Sequence, residues 1–517
     1  MAVKLEKNVA GRLVPDVVNG RESVPFNGVG GYRPEGRKAA PRIASCVDYP
    51  ADGDKRVGSL REAFEKVGLA DGMVLSTHHH LRNGDAVANA AFDSAAEMGL
   101  RDLMWFPSAS FPVHANQIEH LDSGVIHHIE GSMNGPLGAY CSAGKMRGLG
   151  VLRSHGGRWQ AIQDGEVHID VAVIAAPAAD AFGNANGLSG PAACGLLGFA
   201  LADSIYAEKV IVVTDNLVPF PCLPWQIQGN NVDAVVEVSS IGDPSKIVSG
   251  TTRLTQSPDR RRIAELAARF CADAGIMRDG FSFQAGAGGT TLAFAIYLAE
   301  LMRAQGVTAR FARGGSTQHM VEMLDEGLIE YILDGQTFDL DGVRSMREDP
   351  RHQDTSPFTS YNFHGKGNFA SMVDVAVLGA TEVDLEFNGN VVTHSDGRLL
   401  HGIGGWQNCL ASRCAMLLVP SFRDRIPVIV DEVTTLCGPG ELIDVVVTER
   451  GIAINPLRQD ILDAVAGSEL PIRPIEDLKA ELDRLCGVPA KPERSDDPVA
   501  VVKWVDGTVI DTVWRTG

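Results

Sequence analysis

Short apolar runs alternate with amphipathic stretches along most of the chain. In the segment SLREAFEKVGL, Leu60, Phe64 and Val67 fall on one face, which predicts a helix, and DGMVLST directly after it predicts a strand. Later runs such as HIDVAVIAAP and EKVIVVTD show little polar alternation, which is typical of strands buried on both faces of a parallel sheet. The pattern predicts an α/β fold with mostly parallel sheets.

Three short patterns recur in the same order about 200 residues apart, and recurrence at a fixed spacing indicates an internal repeat. Their positions are Asp71-Gly72 and Asp279-Gly280, LDSGVI at Leu121–Ile126 and LDEGLI at Leu324–Ile329, and DVAV at Asp170–Val173 and Asp374–Val377. Each match is weak alone, but three collinear matches are hard to produce by chance. They predict two tandem homologous α/β domains, at 51–250 and 251–490, that share a cleft.

The two ends of the chain show no such periodicity. Residues 1–50 are rich in Gly, Pro and Val, and we interpret them as an extended arm lying on a surface. Residues 491–517 begin with a polar linker, KPERSDDP, and continue as VVKWVDGTVIDTVW. The Asp506-Gly507 pair within that run predicts a hairpin with a type I′ turn. We expect this hairpin to add an edge to one of the sheets.

Composition narrows the function. The 517 residues carry a formal charge of −19, which argues against nucleic-acid binding and against anionic membranes, since both call for a basic surface. The nine cysteines are odd in number and scattered without a CxxC pair, so neither a disulfide framework nor a zinc site is expected, and no metal is predicted. No signal peptide or run of about 20 apolar residues is present, which favours a cytoplasmic protein.

In open α/β sheets, ligands bind beyond the carboxyl ends of the strands. After the first strand of domain one comes STHHHLRNGD, whose three adjacent histidines lack the spacing of a metal site. One interpretation is an anion-binding turn, with His79, Arg82 and the amides around Gly84 at a helix N-terminus. The other is a polar loop with satisfied histidines, and the residues alone leave both open.

The equivalent segment of domain two is QAGAGGTT, before an apolar helical run. Gly286, Gly288 and Gly289 allow close backbone approach to an oxyanion or pyrophosphate, although the segment matches neither the Walker nor the dinucleotide pattern. A plain strand-to-helix turn is an equal alternative. The segment Arg313-Gly314-Gly315 follows the predicted strand VTARF and is a second glycine-rich turn of the same kind.

Loops rich in Asn and Gly follow both DVAV strands. The first contains Asn184 and Asn186, and the second, DLEFNGN, is followed by GIGGWQN at residues 402–408. Such loops are often only turns, but their placement in both copies suggests that the two domains face each other. GxSxG, HExxH and SxxK motifs do not occur. The sequence therefore indicates a paired-domain enzyme whose glycine-lined cleft handles an anionic substrate.

Taken together, these segments resemble the alpha subunits of citrate lyase, the citrate CoA-transferase family. The likeness covers nearly the whole chain and rests on DGMVLSTHHHLRNGD, RSHGGR, AFGNANGLSGPAACG, FSFQAGAGGTTLA and VTERGIAINPLRQD. The resemblance implies two related α/β domains with the thioester site between them. It also implies exchange of acetyl for citryl on a dephospho-CoA-type or CoA thioester, with release of acetate. The implied partners are a lyase beta subunit and an acyl-carrier gamma subunit in an oligomer.

With the resemblance in hand we assign roles to individual positions, and the roles fall into three groups. Catalysis is expected at Gly404, Gly405 and Asn408, substrate binding at His79, Arg82, Gly84, Asn184, Asn186 and Arg313, and cofactor binding at Gly286, Gly288, Gly289, Gly314 and Gly315. Many CoA-transferases carry a glutamate nucleophile where this chain has Ala312-Arg313-Gly314, so the resemblance implies a ternary complex without an enzyme-bound acyl group. Glu386 is a weaker carboxylate candidate.

Two departures from the family pattern bear on the substrate. Relatives tend to have Gly-Gly-His-Ser-Asp where this chain has Gly404-Gly405-Trp406-Gln407-Asn408, and apolar residues where it has Arg313 and Ser316. Another hydroxy acid such as citramalate, or free CoA as carrier, is therefore an alternative. A non-catalytic thioester-binding protein is a further one.

Overall fold

The computed structural model describes residues 4–33, 52–248, 253–286, 288–363, 365–488, 490 and 495–516. Residues 1–3 and 34–50 of the predicted arm, Ala287 of the glycine-rich segment and residues 491–494 of the predicted linker lie outside the described residues. Two large sheets form the body of the molecule. No helix in the described part of the chain is long and apolar enough to cross a membrane.

The first sheet has seven strands, and every neighbouring pair is parallel. In spatial order the strands are Arg56–Val57, Ala234–Glu237, Lys209–Thr214, Val171–Ala176, Val74–Thr77, Leu103–Pro107 and Ile126–Ile129. Val171–Ala176 and Leu103–Pro107 are buried along their whole length, as expected for a sheet covered by helices on both faces.

The second sheet has eight strands, of which only the last pairs antiparallel. In spatial order they are His352–Asp354, Ile332–Thr337, Phe311–Ser316, Ser282–Ala285, Val375–Leu378, Ala415–Leu418, Val445–Thr448 and Gly451–Ile454. The chain fills one side of Ser282–Ala285 first and then crosses to the other side. A ligand site is expected where the strand order reverses in this way.

Six strands of each sheet follow the same order, whereas the edge strands differ, and the repeated residues play the same structural part in each sheet. Asp170 accepts a hydrogen bond from the amide of Val74 at 2.7 Å, and Asp374 accepts one from the amide of Ser282 at 2.9 Å. The predicted fold class, with two tandem homologous halves, is confirmed. The domain limits at 250 and 490 stay predictions, and residues 249–252 lie outside the described residues.

Helices cover both sheets and bury their apolar faces against them. Within the described residues the α-helices are Leu60–Val67, Val87–Glu97, Gln117–Ser123, Pro136–Ser142, His155–Asp164, Gly198–Tyr206, Pro258–Asp273, Gly289–Gln305, Gln318–Asp325, Leu340–Glu348, Pro357–Tyr361, Trp406–Cys409, Gln459–Ala464 and Ile475–Cys486. One apolar core belongs to the second half, and a larger one extends across both halves.

The C-terminal hairpin forms as predicted but in a different place and with a different turn. Pro498–Lys503 pairs with Val509–Trp514 and, on its other side, with Gly150–Leu152. It therefore builds a separate three-stranded sheet and does not extend either large one. Gly507 has a φ of +92°, whereas Asp506 does not have a positive φ. A type I′ turn needs both, so that prediction is wrong.

The described part of the N-terminal arm packs on this hairpin. Asn8 donates to the carbonyls of Val509 and Ile510 at 3.2 and 2.8 Å, and Phe26 donates its amide to the Val509 carbonyl at 3.0 Å. Val14 and Val18 complete a small apolar cluster with the hairpin. The two ends of the chain thus stabilise one another on the surface of the first half.

Candidate active site

The histidine segment of the first half ends a central strand and lies in the interior. His79 is buried, and its Nδ1 lies 2.7 Å from the Ser108 hydroxyl. Its ring lies parallel to that of His155, with the centroids 5.4 Å apart. Burial lowers the pKa of His79 well below its usual range, and it lowers the pKa of His155 to about 3. Both imidazoles are therefore neutral at physiological pH, so His79 can offer a substrate carboxylate a hydrogen bond but no charge.

His155 begins the helix His155–Asp164, and the second half of the molecule caps that helix. The amide of His155 donates to the Gly404 carbonyl at 2.8 Å, and the amide of Gly156 donates to the Asn408 Oδ1 at 3.1 Å. The third amide, of Gly157, is taken by the N-cap Ser154. Two of the three residues predicted to be catalytic thus meet the first half at this helix terminus.

Gly405, the third of them, lies against Tyr361. A Cβ atom on Gly405 would be 2.8 Å from the Tyr361 hydroxyl, so the position has no room for a larger residue. The Tyr361 ring lies 6.4 Å from that of His155, centroid to centroid. Gly404 has a φ of +62°, which favours glycine. The glycine pair is half-buried, with Gly404 next to His155 of the first half and Gly405 against Tyr361 of the second.

Behind Tyr361 lies a buried polar cluster of the second half. The guanidinium carbon of Arg313 is 4.6 Å from the centroid of the Tyr361 ring, and Arg313 donates to the Gln284 Oε1. Gln284 also donates to the Cys409 sulfur. Burial raises the pKa of both Tyr361 and Cys409, which keeps them neutral. Arg313 thus lies inside the protein, not on its surface.

The glycine-rich segment follows Gln284 directly and opens the longest helix described, Gly289–Gln305. No side chain caps this helix. Its first amides have no intrahelical acceptor, as at any helix N-terminus. Thr291 turns its hydroxyl back to the carbonyls of Gly286 and Gly288 at 2.7 Å each, which fixes the loop. This terminus differs from that at His155, where the opposite half occupies the amides.

Arg82 and Gly84 are engaged in joining parts of the protein. Arg82 donates to the Thr337 carbonyl at 2.6 Å, and its guanidinium carbon lies 4.0 Å from the centroid of the Phe338 ring. The Gly84 amide donates to the Leu81 carbonyl at 3.0 Å, and the segment Arg82–Gly84 is a 3₁₀ turn. That amide is therefore occupied and is not the free helix-terminal donor that we expected.

Asn184 and Asn186 hold their own loop. Asn184 donates to Asp180 at 2.9 Å and accepts from the Gly229 amide at 2.9 Å, while Asn186 accepts from the Leu188 amide at 3.0 Å. Asp384, Asn388 and Asn390 repeat these roles in the second half. Bonds that recur in both copies belong to the repeated fold, so the structure does not place these two amides as free cleft donors.

Gly314 and Gly315 also differ from expectation, because they lie within a strand and not in a loop after it. The strand is Phe311–Ser316, and its pairing slips between these two residues. A Cβ on Gly315 would overlap the Phe338 ring, against which the Arg82 guanidinium also packs. The space that Gly315 leaves is therefore filled by protein, not by a cofactor.

Five residues at this junction carry no sequence pattern that we interpreted as a site: His155, Gly156, Tyr361, Gln284 and Cys409. A usable signal existed for the first two, since Ser154-His155-Gly156-Gly157 after a short strand matches a helix start with a serine N-cap. Tyr361 lies in a short helix, Pro357–Tyr361, without a recognisable motif. Its role depends on tertiary packing.

A separate groove of about 800 Å³ opens on the far side of the Gly404–Trp406 segment. Its lining includes Ile403, Trp406, Arg398 and Arg423. Trp406 is anchored by a 2.7 Å hydrogen bond from its indole to the Gly379 carbonyl, just beyond the carboxyl end of Val375–Leu378. The groove therefore adjoins the strand-order reversal of the second sheet.

Two homologous parallel-sheet halves facing each other across such a site define the class of CoA-transferase-like proteins. The fold is shared with a malonate decarboxylase alpha subunit from Acinetobacter baumannii, with a TM-score of 0.60 over 84% of this chain and 88% of that one at 18% identity. At that identity the likeness concerns the fold alone.

Closer relatives are more specific. The family described as "Citrate lyase, alpha subunit" matches residues 53–516. The citrate lyase alpha chain of Haemophilus influenzae is 39% identical over 92% of this chain and 96% of its own length. A Streptococcus mutans protein assigned as the alpha subunit of citrate lyase, solved in complex with citrate, has a TM-score of 0.95 and 39% identity over 99% of this chain and all of that one. The chain belongs to the citrate lyase alpha subunit family.

Proposed function

We propose that this chain is a citrate CoA-transferase that exchanges acetyl for citryl on a thioester. A citrate carboxylate oxygen attacks the acetyl carbonyl, and the carbon–sulfur bond breaks to give a mixed anhydride and a thiolate. The thiolate then attacks the citryl carbonyl, and acetate leaves. Each step places negative charge on a tetrahedral oxygen, which preorganised N–H donors stabilise, typically by several kcal/mol.

The observation that carries the proposal is the junction of the two halves at His155, Gly404 and Gly405. The second half binds the start of the first half's helix, with the Gly404 carbonyl 2.8 Å from the His155 amide. Two reactants held at such a junction react as one unit, which contributes much of the rate. The neutral imidazoles of His79 and His155 pack against the ring of Phe199 beside it.

The uncapped terminus at Gly288 and Gly289 is our candidate for the thioester carrier's phosphate groups. Helix N-termini favour anions because their amides point outward and the helix dipole is positive there. This assignment also explains how a chain of charge −19 accepts anionic partners, since amides supply the positive potential locally.

Membership of the family implies a multi-subunit assembly and thioester chemistry on an acyl carrier. We propose that the partners are a lyase beta subunit and an acyl-carrier gamma subunit with a dephospho-CoA-type group. Cytoplasmic placement is supported by the eight described cysteines, which are all free thiols.

A thioester-exchange assay tests the proposal. The purified chain is given acetyl-CoA with citrate, and the masses of the thioesters are followed. We expect citryl-CoA and acetate. Gly405→Ala should lower kcat about a hundredfold, because its methyl group would displace Tyr361. Gly467→Ala is the matched control, since nothing lies within 4 Å of its Cβ. Absence of exchange with citrate in the folded wild-type chain would refute the proposal.

A second measurement tests the ternary-complex mechanism. We expect hydroxylamine to trap no acyl adduct on any glutamate during turnover. Glu386 is the residue to inspect, and its side chain is exposed. An adduct there would replace the direct mechanism with a covalent one.

A different hydroxy acid, such as citramalate, is the second candidate substrate. It is favoured by Asn408 and Arg313, which change the charge near Gly405 relative to the pattern of the family. Parallel assays with citramalate and with no acid separate the two substrates from a protein that binds thioesters without exchanging them.

A further inference from the structure

Four arginine side chains of the described residues are buried, and they differ in how their charge is balanced. They are Arg82, Arg153, Arg158 and Arg313. Removing a guanidinium from water costs several kcal/mol unless an anion or a full set of acceptors replaces the water. The partners of each arginine therefore indicate what its charge is for.

Two of the four have carboxylate partners. Arg153 contacts Glu130 at 2.9 Å and Glu166 at 2.8 Å. Both terminal nitrogens of Arg158 donate hydrogen bonds to the Asp203 carboxylate, at 2.7 and 2.8 Å. The charge of each of these two arginines is therefore balanced within the fold.

Arg313 is the most deeply buried of the four, with no exposed surface. No carboxylate of the described residues lies within 4.0 Å of it. Its Nη1 donates to Gln284, and the uncharged Tyr361 and Cys409 side chains also interact with the guanidinium. Its Nε and Nη2 have no hydrogen-bond partner there. These two N–H groups lie on one edge of the guanidinium plane, the edge that takes a carboxylate through two parallel hydrogen bonds.

The neighbours of Arg313 supply no compensating charge. Burial raises the pKa of the Tyr361 hydroxyl and of the Cys409 thiol, so both are neutral at physiological pH. The cluster therefore holds one net positive charge. It lies directly behind Gly405, because Tyr361 contacts both Gly405 and the guanidinium.

We propose that Arg313 binds a carboxylate of the acid substrate through Nε and Nη2 and thereby determines which acids are accepted. The substrate class is a polycarboxylic acid, with one carboxylate reacting and another held by Arg313. The reaction assigned to that acid rests on the proposed function, whereas the anion site rests on the unpaired guanidinium. Tyr361 covers the guanidinium, so its ring has to move when the acid enters.

Arg313→Leu and Arg158→Leu form a matched pair of variants, since each removes one buried arginine. Without ligand, Arg313→Leu should unfold at the same denaturant concentration as the wild type or at a higher one, because it removes an unpaired buried charge. Arg158→Leu should unfold at a lower concentration, because Asp203 then loses its arginine partner and keeps only His78 and Ser76. Equal losses of stability in both variants would overturn the proposal.

The second measurement uses acetate, succinate, tricarballylate and citrate as probes of thermal unfolding. At least one polycarboxylate should raise the Tm of the wild type, and its Kd should weaken about tenfold or more in Arg313→Leu, as loss of charge-assisted hydrogen bonds predicts. Arg313→Lys keeps the positive charge but lacks the two parallel N–H donors of the guanidinium, so it should give an intermediate Kd. Acetate should not distinguish the variants. If every polycarboxylate binds the wild type and Arg313→Leu equally, or none binds the wild type, the proposal is wrong.

Thioester exchange by the wild type separates this inference from the proposed function. Polycarboxylate binding that depends on Arg313, without exchange, would support the site and refute the transferase. Exchange with an unchanged KM for citrate in Arg313→Leu would support the transferase and refute the Arg313 site.

Discussion

The two halves of the molecule use the same strand position in different ways. Ser76 and Gln284 are equivalent, since each lies five residues after the repeated Asp-Gly pair, and each bonds a buried arginine. In the first half Ser76 meets Arg158, whose charge is balanced by Asp203. In the second half Gln284 meets Arg313, which has no carboxylate among the described residues within ion-pair distance.

The neighbouring strand shows how the difference arose. Phe106 is the register partner of Ser76, and Arg313 is the register partner of Gln284. The first half has an aromatic ring there, with Arg158 lying over it at 4.4 Å from the centroid. The repeated fold thus provides equivalent positions, and the local charge balance decides whether a position stabilises the fold or binds a ligand.

The largest expected effect comes from breaking the balanced pair. Asp203→Asn leaves Arg158 buried without a carboxylate, which should lower the free energy of unfolding by about 3–5 kcal/mol. Denaturant unfolding measures it, with the exposed Asp463→Asn as control. A loss similar to that of the control would show that the pair contributes no net stability.

Acid should destabilise the protein through buried histidines of the first half. His155 and His80 have folded pKa values of about 3 and 4, below the unfolded value near 6.5. The unfolded chain therefore takes up protons first as the pH falls below about 6.5. Their stabilisation is complete above that pH and is lost on acidification, on the order of 2 kcal/mol per histidine between pH 7 and 5.

His155→Gln should flatten the dependence of unfolding free energy on pH in this window. The control is His168→Gln, because 60% of the His168 side chain is exposed. Unchanged pH dependence in His155→Gln would mean that the folded protein protonates this ring as easily as the unfolded chain does.

Replacing the equivalent asparagine in either repeated loop should destabilise the protein, but by different amounts. Asn184→Ala removes the acceptor of the buried Gly229 amide and should cost about 1–3 kcal/mol. Asn388→Ala does the same to Gly440, and it should cost less because Asn388 is only half-buried. Chemical denaturation of both variants and of Asn184→Asp, which keeps an acceptor, checks this ranking. The reverse order would show that burial does not set the cost here.

Surface ion pairs should matter least in either half. Glu65→Gln breaks the exposed pair with Arg61, and Glu326→Gln breaks the exposed pair with Arg303. Each should change the free energy of unfolding less than any substitution above, because solvent and salt screen exposed pairs. Thermal unfolding at low and high salt measures both changes. A larger change in only one half would mean that a network, not a single pair, had been broken.

Local patterns were sufficient for much of the fold. The helix from Leu60 and the strand from Val74 begin where periodicity predicts, and the DVAV repeats form equivalent central strands. Apolar spacing fixes these elements because burial of one face is a local requirement. The predicted strand VTARF ends at Phe311, whereas the observed strand begins there and runs to Ser316. Arg313 and the two glycines after it are not typical strand residues. Only the tight packing of Phe338 on Gly315 explains them.

The candidate site was predictable in place but not in detail. Gly404, Gly405 and Asn408 were selected from the sequence, and they lie at the junction of the halves, although their chemical roles stay predictions. His155 and Tyr361 were not selected, because their importance comes from residues more than 40 positions away in the chain. Gly84 and Asn184 carry polar groups at strand ends, but the fold itself uses those groups.

The sequence by itself determined the α/β class, the internal duplication and the family. Periodicity, repeated motifs and family patterns can each be recognised within short stretches of the chain. Only the tertiary structure decided which polar groups are satisfied and which are not. A hydrogen-bond partner or a counter-charge is supplied by distant segments: Asp203 reaches Arg158 across 45 positions, whereas no carboxylate of the described residues reaches Arg313. Whether a buried charge is balanced depends on distances in space, and the order of residues does not specify those distances.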